Sequence, residues 1–110
     1  MYCLDTDIIS YFFRGEKSIV SKIATTPLNE ISTTIINYSE LKFGAYSNSN
    51  KREVLLQTIA EFLEDIAILE YDAQSADIFA NQKADLKKRG MLIADLDLMI
   101  ASICIAKDII

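Results

Sequence analysis

Histidine and tryptophan are absent from this sequence; proline occurs once, cysteine twice and glycine three times. Without histidine there is no Ser-His-Asp or Cys-His catalysis, no imidazole general base and no imidazole metal ligand. Cys3 and Cys104 each stand alone in an apolar run, which excludes a disulfide scaffold and reads as two small core hydrophobes of a reducing compartment. So little glycine and proline also excludes a collagen-like or low-complexity chain. No apolar run approaches the roughly 18 residues of a membrane span. The N-terminal MYCLDTD meets acid at Asp5, too early for a secretory signal. Neither a G-x-G-x-x-G nor a P-loop pattern occurs. Any chemistry is left to carboxylates, lysines, hydroxyls or a hard metal ion.

What is present is a chain of 110 residues, 51% apolar and 25% charged. That length makes one domain, which buries about two-thirds of the surface its unfolded form exposes. We expect a single domain over residues 1–110, soluble and cytoplasmic. The net charge of −5 comes from 16 acids against 11 bases. It opposes a broad phosphate-binding surface. Acids gathered around a divalent cation are locally neutralised, however, so acid positions matter more than their sum.

Along the chain, strand and helix patterns alternate. Residues 1–4 read as a buried strand, and Asp5-Thr6-Asp7 opens a helix carried by Ile8, Ile9, Phe12 and Phe13. Gly15 stops it, and a second short helix is predicted over 17–24, before Pro27. The β-branched run 30–36 reads as a second strand. Asn37-Tyr38-Ser39-Glu40 reads as a capping box opening the next helix, which ends at Gly44 or shortly after. An amphipathic helix over 51–65 and a short strand over 66–69 follow. Asp72 caps a long helix to Arg89, with Lys87, Lys88 and Arg89 in its last turn and Gly90 as its stop. A fourth apolar run, 91–94, leads into Asp95-Leu96-Asp97 and a last helix to about Lys107. Ile109 and Ile110 look like the start of another strand. This alternation predicts an α/β fold, a short and mostly parallel sheet flanked by helices.

The acids recur at equivalent places: Asp5 after the first strand, Glu40 in the first turn after the second, Asp95 and Asp97 in the first turn of the last helix. In a parallel sheet such positions lie along the one edge where ligands bind. Each acid also has a purely structural reading, as a helix cap or as a first-turn charge favoured by the dipole. As a set they read differently. Asp5 and Asp97 lie beside strongly apolar sequence, where an unpaired charge is costly, and no basic residue adjoins any of them. A hard cation such as Mg²⁺ or Mn²⁺ is the natural counter-charge.

The segments MYCLDTDII, INYSELKFGA, YDAQSADIFANQKADLKKRG and IADLDLMIASICIA resemble, in order and separation, the successive motifs of VapC-type PIN domains, the ribonuclease toxins of bacterial toxin–antitoxin pairs. The resemblance covers nearly the whole chain and is weakest over 15–29 and 48–66. It implies catalytic and metal-site roles for Asp5, Glu40 and Asp97, with Asp95 as an optional ligand. Thr6 is the hydroxyl neighbour, and Asp7 stands where the motif usually has Asn. It implies Mg²⁺, or Mn²⁺, as cofactor and hydrolysis of RNA to a 3′-hydroxyl and a 5′-phosphate, which needs no histidine. It implies a VapB-like antitoxin whose C-terminal segment lies in an apolar groove, a homodimer within a larger hetero-oligomer, and operator DNA contacted only through the antitoxin. Groove candidates are Tyr11, Phe12, Phe13, Ile59, Phe62 and Leu63, which core packing would equally explain. The basic group of Lys83, Lys87, Lys88 and Arg89 either guides RNA or is a solvated helix end. PIN domains usually supply a further acid or Asn in a T-N-N-like segment after the next strand. This sequence stops at Ile110, so we expect a C-terminally short PIN domain lacking its last strand or strands.

Two other readings compete. A haloacid-dehalogenase-type phosphatase would use Asp5 as nucleophile and Asp7 as acid/base, but no convincing lysine motif follows. An inactive PIN-like interaction module would bind a partner without cleaving RNA.

Overall fold

In the structure, a computed structural model that describes residues 1–109, three strands form one parallel sheet in the order β1-β2-β3. The strands are β1 (Tyr2–Cys3), β2 (Ile31–Thr34) and β3 (Ala67–Leu69). Tyr2 lies opposite Ile31, and Thr34 opposite Leu69. The helices are α1 (Thr6–Phe13), α2 (Lys17–Ala24), α3 (Ile35–Tyr46), α4 (Arg52–Leu63), α5 (Ala73–Lys88) and α6 (Asp95–Ala106). The α/β architecture and the parallel sheet predicted from the alternation of patterns are both present. No described helix is long and apolar enough to cross a membrane.

The central strand β2 is buried along its whole length, although three of its four residues carry hydroxyls. The hydroxyls find partners at once. Ser32 Oγ donates to the Tyr2 carbonyl at 2.9 Å and Thr33 Oγ1 to the Leu4 carbonyl at 2.7 Å. The Leu4 amide in turn donates to the Ser32 carbonyl at 2.8 Å. A buried hydroxyl is costly only when unpaired, so β2 pins the end of β1 by side chain as well as by backbone. One apolar cluster, Ile9, Leu41, Ala45, Ile59 and Leu63, joins α1, α3 and α4, with Leu4, Phe13, Tyr38 and Phe62 packed against it.

Several expectations are corrected. The second strand ends at Thr34 rather than Ile36, because Thr34 itself caps α3: its Oγ1 accepts from the Asn37 amide at 3.1 Å. Asn37 is therefore the third residue of the helix, and the capping box of Asn37 with Glu40 does not exist. The end of α3 agrees with the expectation of a stop at Gly44 or shortly after, since the helix ends at Tyr46, two residues past it. The run 91–94 forms no strand and is exposed, Leu92 almost completely. Since α5 and α6 pack directly on each other, the short link between them turns at Gly90 (φ 69°) instead of returning to the sheet. Ile109 enters no strand, and Ile110 lies outside the described residues.

Candidate functional site

The pinned end of β1 delivers Asp5 and Thr6 to the edge of the sheet. Asp5 Oδ1 accepts the Ile8 amide at 2.9 Å, which caps α1, and the carboxylate is exposed. Thr6, the first residue of α1, donates its hydroxyl to Glu40 Oε1 at 2.7 Å. Glu40 lies in the second turn of α3 and is half-buried. The same Thr6 oxygen accepts from Asn37 Nδ2 at 3.1 Å, and Asn37 Oδ1 accepts from Thr34 Oγ1 at 2.7 Å. Residues from the first and second motifs thus meet in one hydrogen-bonded chain across α1 and α3. Among the described residues no buried side-chain polar atom lacks a partner.

Asp97 sits in the first turn of α6, exposed, and no hydrogen bond or ion pair engages its side chain among the described residues. Its neighbour Leu96 lines, with Ile36, Ser39, Glu40 and Phe43, a cleft of about 600 Å³ between α3 and α6. Glu40 and the start of α6 therefore face a common space. Asp95 lies apart from this chain of bonds, with Lys83 of α5 3.0 Å from Oδ1. The absence of bases beside the acids in sequence does not carry into space, since Lys83 is supplied from twelve positions upstream. Nor does apolar flanking sequence bury Asp5 or Asp97: both are solvated at helix starts, so burial does not demand a counter-ion there. Asp7 is exposed on α1 and makes no side-chain bond among the described residues.

A second groove, of about 250 Å³, lies on the other side of Glu40. Thr6, Glu40 and Gly44 form part of it, and Phe13, Leu55 and Ile59 supply the apolar wall. Three of the aromatic candidates form one tilted cluster, Phe62 standing 5.0 Å from Phe12 and 5.4 Å, edge to face, from Phe13 between ring centroids. Ile59 and Leu63 belong to the core. Tyr11 is exposed, with the Arg14 guanidinium over its ring. Of the basic group, Lys83 is tied to Asp95 and Arg89 to Asp85, while Lys87 and Lys88 are exposed.

The carboxylates beside Thr6, of Asp5 and Glu40, offer only oxygen, which suits a hard cation. No three acidic or cysteine side chains stand together closely enough to hold one ion among the described residues. Asp5 and Glu40, on either side of Thr6, instead fit a cation held by one or two carboxylates with water completing its shell, the habit of Mg²⁺. The reading of the sequence missed Asn37 and Thr34 as members of the site. The available signal was Thr34 itself, a favoured N-cap type three residues before Asn37.

The family profile of the PIN domain matches residues 2–110. The chain is 32% identical over 101 residues to Ribonuclease VapC2 of Haemophilus influenzae, covering 92% of this chain and 76% of that protein. Its fold matches the crystal structure of VapBC2 from Rickettsia felis bound to a promoter DNA fragment, with a TM-score of 0.86 at 25% identity, over 98% of this chain and 82% of that one. It likewise matches FitAcB from Neisseria gonorrhoeae, with a TM-score of 0.87 at 27% identity, over 99% of this chain and 84% of that one.

Proposed function

The chain belongs to the PIN-domain family, and from that membership we infer that it is a VapC-type endoribonuclease toxin held in check by a VapB-like antitoxin. The single observation that carries the reading is the Thr6–Glu40 bond. It joins the first and second acidic motifs, far apart in the chain, at one sheet edge, in a chain whose relatives are VapC ribonucleases.

Asp5, Glu40 and Asp97 are the residues that would hold Mg²⁺ or Mn²⁺, directly or through water, with Asp95 as an optional ligand. A cation bound there would supply an acidified water and stabilise charge building on the RNA phosphate. The chain's own residues do the rest. Asp5 keeps its position by capping α1, Thr6 orients Glu40, and the cleft between α3 and α6 admits the backbone of an RNA. The antitoxin is the partner. Its C-terminal segment would enter the apolar groove of Phe13, Leu55 and Ile59, which leads directly to Glu40. The chain pairs as a homodimer within a larger hetero-oligomer, in the cytoplasm, and operator DNA is reached through the antitoxin. The PIN-domain match leaves the phosphatase reading of Asp5 and Asp7 without support.

The test is cleavage of a panel of small structured RNAs by antitoxin-free protein. Cleavage should require Mg²⁺ or Mn²⁺, stop with EDTA, and fall by about a hundredfold or more in Asp5→Asn and in Asp97→Asn. A folded protein that binds Mn²⁺ and cleaves none of the panel would instead be a PIN-like interaction module.

A further inference from the structure

We propose that Asn37 is a positioning residue for Glu40, acting through the Thr6 hydroxyl to occupy one carboxylate oxygen and leave the other for the cation. The inference rests on the nuclease reading only for its purpose; its geometry stands on the bonds themselves.

The chain Thr34–Asn37–Thr6–Glu40 has one direction. The Asn37 amide nitrogen can only donate, so Thr6 Oγ1 must accept from it at 3.1 Å. Thr6 has one hydroxyl proton, and it goes to Glu40 Oε1 at 2.7 Å, where a carboxylate can only accept. The Asn37 amide cannot be turned end for end. Turned over, its oxygen would face Thr6 Oγ1, whose only proton is already given to Glu40, and two acceptors would meet; in the observed orientation Oδ1 accepts the Thr34 hydroxyl at 2.7 Å. Thr34 is fully buried and Asn37 is 1% exposed, so water does not compete for these bonds. The acceptor-only carboxylate sets the direction, and the buried cap of α3 closes the chain in the interior, holding Asn37 and through it Thr6 in place. Oε1 is consumed by this bond, whereas Oε2 has no protein donor among the described residues. The cap that starts α3 and the orientation of Glu40 are one structure.

This separates two roles that a structural account would merge. A residue that merely stabilised α3 would alter melting and leave the carboxylate's ligand behaviour alone. Asn37, acting through Thr6, changes the carboxylate while its effect disappears once Thr6 has no hydroxyl.

The experiment is Mn²⁺ binding to the full chain, followed by the electron paramagnetic resonance of the free ion, with circular dichroism to establish folding. Asn37→Ala should weaken Mn²⁺ binding about tenfold, the ordinary effect of removing a group that orients a ligand. Thr6→Val should do the same, and Thr6→Ser, which keeps the hydroxyl, should bind as the unaltered protein does. The double variant of Asn37→Ala and Thr6→Val should be no weaker than Thr6→Val alone. Additive losses, unaltered binding by folded Asn37→Ala, or no Mn²⁺ binding by the unaltered protein would each overturn the proposal. If Asn37→Ala does not fold, the side-chain amide resonances of Asn37 decide. They should be well separated and slow to exchange, and should shift in Thr6→Val; identical resonances in both proteins refute the link. The expected Mn²⁺ pattern without RNA cleavage would sink the nuclease reading and leave this inference standing.

Discussion

Asp72 holds Ser75 through one oxygen, accepting its backbone amide at 2.9 Å and its hydroxyl at 2.8 Å, and receives the Lys107 ammonium on the other at 3.3 Å. The Ser75 bonds first, and then Lys107, bring its carboxyl down from 3.8 to about 2. A folded-state value below the unfolded one means that its contribution is complete above 3.8 and lost as the pH falls through about 2. Asp72→Asn should therefore flatten the thermal midpoint of unfolding across that acid window, as read by scanning calorimetry; parallel curves for the two proteins would refute it. Cys3 shifts the other way. Burial, and then the neighbouring Cys104 thiol, push its thiol up from 9.0 to about 12. A raised value leaves stability complete below 9.0 and erodes it as the pH climbs toward 12. Near pH 8 native Cys3 should label with iodoacetamide far more slowly than the unfolded chain; equal rates by mass spectrometry would contradict this. The Asp72 cap was legible in sequence because a cap is a local bond. The meeting of Cys3 with Cys104 was not, since it depends on how α6 packs against β1.

At the scale of elements, local signals and tertiary packing disagree most visibly at the start of α3. The sequence offers two caps for this helix, Thr34 and Asn37, and only the burial of Thr34 at the end of β2 selects the first. Glu40 consequently moves from a capping position into the second turn, where it can reach Thr6. At the other end, Gly44 resembles a stop and is helical, its lack of a side chain opening the groove beside Glu40. A β-carbon added there would meet nothing within 4 Å. Gly44→Ala should stabilise the protein by about 0.5–1 kcal/mol, since alanine gives up less backbone freedom in a helix. Gly90 contrasts with it, because its φ of 69° strains any other L-residue; Gly90→Ala should cost about 1 kcal/mol. Urea unfolding of both variants checks the pair, and shifts of the same sign would refute the distinction.

For the whole molecule, the apolar groove and the acidic pocket share Thr6 and Glu40, so an antitoxin segment filling the one must crowd the other. Adding a VapB-like C-terminal peptide should raise the thermal midpoint in proportion to the logarithm of its concentration and suppress cleavage over the same range. Inhibition without any shift in stability would place the peptide's contact on the RNA instead. The sequence by itself determined the alternation of elements, the helix start at Asp5-Thr6-Asp7, the cap at Asp72, the stop at Gly90 and the order of the acidic motifs. These depend on residues within a few positions of each other, where periodicity and hydrogen-bonding type decide the outcome. Only the tertiary structure decided that Glu40 answers to Thr6 and Asn37, that Lys83 stands beside Asp95, and that the run 91–94 lies in solvent. Partner choice and burial belong to the packing of whole elements, and no local pattern encodes which distant side chain will arrive.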